Sequence, residues 1–262
     1  MDSVLDEVRS VIGDVLDRGD GSWRALQESG LLALAAPEKL GGEGLGLTEI
    51  AVLLHEVGRR AADLPVWETI ACGLLPLVRS GSDDLQADLV PRLLAGELKF
   101  APALGEPGNA LPTEPATTYD GKTVSGAKVG VPVLDGSTLL LVSTGSANGE
   151  VVVALVDADG EGVSKVDTRT SRGTTEATYT FSSAPVVGEL DAGVVRNHAI
   201  AGLAALGAGD VEGARDLTAG YIKDRKQFGR SLAEFQAVAQ QIADVYIASR
   251  TVTLTATEVV RR

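Results

Sequence analysis

The texture of the sequence changes twice along the chain, and these two changes constrain the fold more than any single motif. From about residue 98 to 187, Pro, Gly, Thr and Ser become frequent, and short β-rich runs recur at Leu139–Val142, Val151–Val156 and Ala177–Phe181. Asp120-Gly121 and Asn148-Gly149 are dipeptides of the kind that close hairpins. This stretch predicts antiparallel strands built into a small barrel or sandwich. On both sides of it the apolar spacing is helical. Ile50, Leu53, Leu54 and Val57 follow Thr48, read as an N-cap. Leu85, Leu89, Leu93 and Leu94 follow Asp83-Asp84, with Gly96 as the stop, and Pro37 to Gly46 is a turn-rich loop. After residue 189 the helical period returns, with Val211, Ala214, Leu217 and Tyr221 in one stripe. Ser231 and Glu234 form a capping box, and Phe235, Val238, Ile242 and Val245 line the helix that follows. That pattern reaches the chain end without a stop signal, so the last bundle is expected to be incomplete. The expected class is α+β: an N-terminal helical domain over 1–97, a middle antiparallel β domain over 98–187, and a C-terminal helical bundle over 188–262.

Composition excludes several functions. The 262 residues suffice for a sizeable core, but a net charge of −13 argues against nucleic acid or an anionic membrane surface as partner. A few local arginines can still hold a phosphorylated small ligand. One cysteine and two histidines leave no disulfide framework and no conventional zinc site. The acidic, amphipathic start lacks the marks of a signal peptide, no apolar stretch reaches membrane-spanning length, and a cytoplasmic location is expected. His55 and His198 have no triad pattern beside them and read as helix-face residues. Gly42, Gly44 and Gly46 mimic a nucleotide loop but follow a helical segment, not a strand. Gly202, Gly207 and Gly209 read as small residues that let helices approach closely. Asp157 to Glu161 reads as a hairpin turn, not a calcium loop, and Cys72 as a small buried side chain.

The segment richest in chemistry runs from Tyr221 through Arg225, Lys226, Gln227, Phe228 and Gly229 to Leu232, Phe235 and Gln236. It reads as a helix end bearing basic residues, a glycine turn and a new helix start. An arginine beside free helix N–H groups is a natural pyrophosphate site, and Gln236 can add an amide to it. The alternative is that Arg225 and Lys226 merely complement the dipole of the preceding helix.

This run resembles the C-terminal signature of the acyl-CoA dehydrogenases. Three other segments agree in order and spacing: Trp23 to Leu31 with Ala36, Pro37, Glu38, Gly41 and Gly42; Glu49 to Gly58; and Gly121 to Lys128. The resemblance implies a flavin enzyme with FAD as cofactor, acyl-CoA as substrate and a homologous subunit as partner in a homo- or heterotetramer. It implies that Arg225, Gln227, Phe228 and Gln236 bind the FAD of a neighbouring subunit. The implied reaction is α,β-dehydrogenation of the thioester, in which a carboxylate takes the α-proton.

The chain also departs from the family pattern. Where the family carries Leu-Thr/Ser-Glu-Pro followed by Gly-Ser-Asp, this sequence has Leu104, Gly105, Glu106, Pro107, Gly108, Asn109, Ala110 and Leu111. Gly105 has no hydroxyl for a flavin ring. After Lys128, the expected tryptophan-bearing run is Val129, Gly130, Val131 and Pro132. One family position for the catalytic base reads His198, Ala199, Ile200, without a carboxylate, and the other falls beyond residue 262. The chain thus resembles the subunit of actinobacterial steroid side-chain α2β2 dehydrogenases that completes the FAD site without supplying the base. A self-sufficient homotetramer and a scaffold that has lost flavin remain as alternatives.

Overall fold

The computed structural model describes residues 2–18, 22–146, 149–171 and 173–261. In chain order come helices α1 (Asp2–Arg18), α2 (Trp23–Glu28) and α3 (Leu47–Arg59), a π-helix over Trp67–Leu74, α4 (Leu75–Ser80) and α5 (Asp83–Leu94). Strands β1 (Leu98–Ala103), β2 (Thr118–Tyr119), β3 (Thr123–Pro132), β4 (Ser137–Ser146), β5 (Val151–Asp157), β6 (Val163–Arg169), β7 (Thr175–Pro185) and β8 (Gly188–Asp191) follow. The long helix α6 (Ala192–Asp224), the short strands β9 (Lys226–Gln227) and β10 (Arg230–Ser231), and α7 (Gln236–Arg261) complete the chain. The order is the expected one: helices, a β region, helices. The chain forms two compact units. One comprises Met1–Ala25, Leu47–Leu64 and Ile200–Arg262, and the other Leu26–Gly46 and Pro65–Ala199. Among the described residues, no helix is long and apolar enough to cross a membrane.

In the unit that holds the strands, one eight-stranded sheet runs in the order β6-β7-β3-β2-β4-β5-β8, with β1 paired to β4 off this path. Most pairings are antiparallel, as expected, but β1 and β2 both run parallel to β4. Inward side chains such as Ala101, Val124, Leu140, Ala154 and Phe181 meet in one core. Strand β1 is buried on both faces. Ala101 and Ala103 point to that core, while Phe100 lies against the π-helix so closely that a Cβ on Gly73 would sit 2.3 Å from its ring. Helix α5 starts at Asp83, capped by Ser82, whose hydroxyl accepts from the Leu85 N–H at 3.2 Å. The Asp120-Gly121 turn is present, the Asp120 carboxylate accepting from the Lys122 and Thr123 N–H groups at 2.9 and 2.7 Å. In the other turn signal, Asn148 lies outside the described residues. Asp157 closes a turn by accepting from the Asp159 N–H at 3.0 Å. Cys72 is fully buried, and burial pushes its thiol pKa up.

In the other unit α3 and α6 lie backbone to backbone. A Cβ on Gly209 would sit 2.0 Å from the His55 carbonyl, and one on Gly213 would sit 2.1 Å from that of Arg59. Gly58 meets the Leu206 carbonyl in the same way, at 2.2 Å. The small residues of α6 thus serve close packing at position 209, whereas Gly207 faces open space. Helix α3 begins at Leu47, so Thr48 lies in its first turn and not at its cap. Charged side chains tie the helices together. Glu56, 4% exposed, takes ion pairs from Arg60, from Arg59 at 3.2 Å and from Arg9 at 3.4 Å. Burial pushes the Glu56 pKa up, but His55, Arg60 and Arg59 beside the carboxylate outweigh it and hold the value at about 2. His55 meets Glu212 at 3.0 Å, and Arg215 joins Glu212 to Ser249 of α7.

Two substitutions in α6 check this packing. Gly209→Ala is expected to destabilise the chain by about 2 kcal/mol or more, because backbone must move. Gly207→Ala, two residues away, is expected to be neutral or to stabilise by about 0.5–1 kcal/mol through helix propensity. Urea unfolding followed by circular dichroism separates the two.

Candidate functional site

The segment singled out in the sequence forms a β-hairpin between two helices, where a helix end running through a turn into a new helix was expected. Helix α6 stops at Asp224, and β9 and β10 pair through Gln227 with Arg230 and Lys226 with Ser231. The turn between them is Phe228-Gly229, at φ 52° and 81°. Both central residues of such a two-residue turn need positive φ, so that its twist matches the strands. Glycine meets this freely; Phe228 is held there against its own preference. The capping box is present, with the Glu234 carboxylate accepting from the Ser231 N–H at 3.1 Å and the Ser231 hydroxyl accepting from the Ala233 N–H at 3.1 Å. It caps a single 3-10 turn, Leu232–Glu234; the long helix starts two residues later, at Gln236. The hairpin base is closed by the Leu232 N–H donating to the Arg225 carbonyl at 2.9 Å and the Ser231 hydroxyl donating to the Ile222 carbonyl at 3.1 Å.

The four predicted site residues therefore share one hairpin and the helix start behind it. Arg225, Gln227 and Gln236 are exposed, and none has a side-chain partner among the described residues. Phe228 is 93% exposed at the tip. The first N–H groups of α7 lie just beyond, without intrahelical partners. An unpaired guanidinium, two free amides and a helix N-terminus form a set of donors suited to a pyrophosphate, and Phe228 offers a flat apolar face beside them. This fits the hairpin side of a flavin dinucleotide site.

The family-like segment in the strand region fits such a ligand less well. A Cβ on Gly105 would stand 3.2 Å from the Val129 carbonyl and 3.3 Å from that of Ala110, so the loop has closed in where a hydroxyl side chain is expected. The segment also carries a buried ion pair. Lys128, fully buried, donates to the Glu106 carboxylate at 2.7 Å and to the Ser143 hydroxyl at 2.9 Å. Glu106 also accepts from the N–H groups of Ala116 and Thr117 at 2.8 and 3.0 Å, and Ser143 donates to the Leu104 carbonyl at 3.1 Å. Burial raises the Glu106 pKa, but Lys128 and the two backbone donors outweigh it and bring the value to about 2. Burial pushes the Lys128 ammonium below its ordinary value, which the Glu106 charge offsets only in part. Both residues lay in motifs visible in the sequence, yet nothing there signalled that they pair. A mostly apolar cleft of about 240 Å³ lies beside this network, lined by Leu104, Leu111, Thr113, Ser143, Val153 and Arg196.

The two histidines form no triad. His198 bonds the Val194 carbonyl of its own helix at 2.8 Å, and His55 belongs to the ion-pair network of α3 and α6. Among the described residues, no group of three or more His, Cys, Asp or Glu side chains is placed to hold a metal ion.

The order helices, strands, helices is that of a known class, the FAD-dependent acyl-CoA dehydrogenases. The family models for the acyl-CoA dehydrogenase N-terminal and C-terminal domains match residues 5–97 and 197–262, and the chain belongs to this family. Among its relatives, acyl-CoA dehydrogenase FadE28 of Mycobacterium tuberculosis is 42% identical over 97% of this chain and 75% of its own length. FadE27 of the same organism is 32% identical over 90% of this chain and 65% of its own length. Two solved structures are similar throughout. The Tcur3481-Tcur3483 steroid ACAD G363A variant has a TM-score of 0.89 at 32% identity, covering 98% of this chain and 77% of that one. The ChsE4-ChsE5 complex from Mycobacterium tuberculosis has a TM-score of 0.84 at 26% identity, with the same two coverages.

Acid stability tests the buried pair. A carboxylate with its pKa depressed from 4.5 to about 2 gives stability that is fully present above 4.5 and lost as pH falls towards 2. Glu106→Gln is expected to flatten that part of the acid decline and to cost about 3 kcal/mol at neutral pH, because Lys128 keeps a buried charge without its partner. Glu106→Gln combined with Lys128→Met is expected to recover much of the loss in urea unfolding across pH 2.5–7.

Proposed function

We propose that this chain is one subunit of a dehydrogenase that introduces an α,β double bond into an acyl-CoA thioester, and that it lends the 225–236 hairpin to the FAD of a homologous subunit. The observation that carries this reading is Arg225: a guanidinium exposed and unpaired in its own chain, beside free amides and a helix N-terminus. In this reading Arg225 takes two pyrophosphate oxygens, Gln227 and Gln236 add amide donors, and the Phe228 ring packs on the dinucleotide. FAD, when bound, supplies the hydride acceptor of the dehydrogenation. The partner supplies the base and the contacts to the flavin ring, which accords with Gly105, Val129 and the absent carboxylate at Ala199.

Other observations support a heteromeric assembly of the α2β2 kind. The two similar structures, Tcur3481-Tcur3483 and the ChsE4-ChsE5 complex, each carry two protein names, and the first is a steroid ACAD, which supports a steroid side-chain thioester as the substrate class. Leu217 and Tyr221 of α6 are 78% and 60% exposed, and Ile247 and Leu254 of α7 are 63% and 62% exposed, so the apolar stripe read on α6 and apolar residues of α7 are uncovered in this chain and available to a partner subunit. We also keep the division of the chain at 97 and 187 into helical, β and helical domains, and a cytoplasmic location, as parts of this proposal.

Arg225→Ala, made in the complex with the co-purifying homologous subunit, is expected to lower FAD affinity about tenfold or more. The unfolding midpoint of the isolated chain should barely move, since an exposed, unpaired side chain is worth about 0.5 kcal/mol or less to the fold. Unchanged flavin content in the variant complex would sink the role of Arg225. A full flavin complement in the chain purified alone would overturn the division of labour between the subunits.

A further inference from the structure

We infer that Arg230 is a positioning residue: laid over the ring of Phe235, it holds the hairpin tip in the arrangement that presents Arg225, Gln227 and Phe228. This rests on the reading of the hairpin as a flavin-binding element. The hairpin, residues 225–231, carries three basic residues with unlike surroundings. Arg225 and Lys226 are exposed and have no side-chain partner among the described residues. The Arg230 guanidinium instead lies 4.1 Å from the centroid of the Phe235 ring. Phe235 in turn meets the edge of Phe228, with centroids 6.4 Å apart and planes at 64°. Arginine, aromatic ring and turn residue thus form one stack across the hairpin.

The hairpin needs such a clamp. Its strands are two residues each, too short to hold a tip by ladder bonds alone. Its tip residue, Phe228, sits at φ 52°, a conformation a non-glycine residue keeps only when its surroundings enforce it. The contacts of Leu232 with Arg225 and of Ser231 with Ile222 secure the base, and the stack secures the tip. A tip ordered in advance spares the ligand the entropy of ordering it. Arg230 therefore acts through Phe235 and needs no contact with the dinucleotide.

Two readouts test this on the full chain and its complex: hydrogen exchange at the Gln227 amide, in the strand pair with Arg230 that flanks the tip, and titration of the complex with FAD. Arg230→Gln is expected to speed that exchange and weaken FAD binding about fivefold each, the scale of one exposed cation–π contact. Arg230→Lys keeps a cation over the ring and should restore most of both. Phe235→Leu should behave like Arg230→Gln, and Phe235→Tyr like the unaltered chain. Unaltered exchange in Arg230→Gln overturns the proposal, and so does equal loss in Arg230→Lys and Arg230→Gln, which would mean that packing shape alone matters. The exchange arm involves no flavin, so it judges the clamp even if Arg225→Ala leaves FAD content unchanged and the flavin reading falls.

Discussion

Helix α6 can carry the hairpin because, from residue 200 onward, its backbone lies directly against α3. Three glycines allow this contact: Gly58 on α3, and Gly209 and Gly213 on α6, each facing a carbonyl of the opposite helix. At such a distance there is no room for intervening side chains, so the charged groups are pushed to the flanks of the contact. There Glu56, His55, Glu212 and the arginines 59, 60 and 215 find one another. Buried charges contribute little net stability, since desolvation offsets most of their attraction. What they contribute here is register: a helix slid by one turn would part His55 from Glu212 and Arg59 from Asp216. The hairpin at 225 inherits the position so fixed.

A second buried pair does similar work in the strand region. Lys128 and Glu106 join β3 to the loop after β1, and Ser143 carries the connection to β4. Glu106 and Lys128 cannot be lost singly, because either one alone would be a buried charge without a partner. Gly105 and Val129 carry no such penalty.

Much of the fold was legible before any coordinates. Ile50, Leu53, Leu54 and Val57 are buried along α3, and the runs at 139, 151 and 177 fall within β4, β5 and β7. Local signals failed where two readings of one motif compete over a few residues. Ser231 and Glu234 do form a capping box, but around a single 3-10 turn, because Phe235 breaks into extended backbone before α7 starts. The stripe Val211, Ala214, Leu217 and Tyr221 has helical spacing, yet spacing cannot say whether a face is covered by its own chain. Strand β1 left a faint pattern because its second half is Ala101, Pro102 and Ala103, without a large apolar residue.

The sequence by itself determined the family and the order helices–strands–helices, and proposed the short list Arg225, Gln227, Phe228 and Gln236, because these rest on spacing along the chain. Tertiary structure alone decided that the list sits on a hairpin, that Phe228 is held at positive φ, and that Arg230 rather than Arg225 is occupied by an aromatic ring. It also decided that Lys128 meets Glu106 across 22 positions of sequence. Contacts of this kind depend on how strands and helices pack in space. A one-dimensional pattern records which residues are present, and carries no distance between side chains far apart along it.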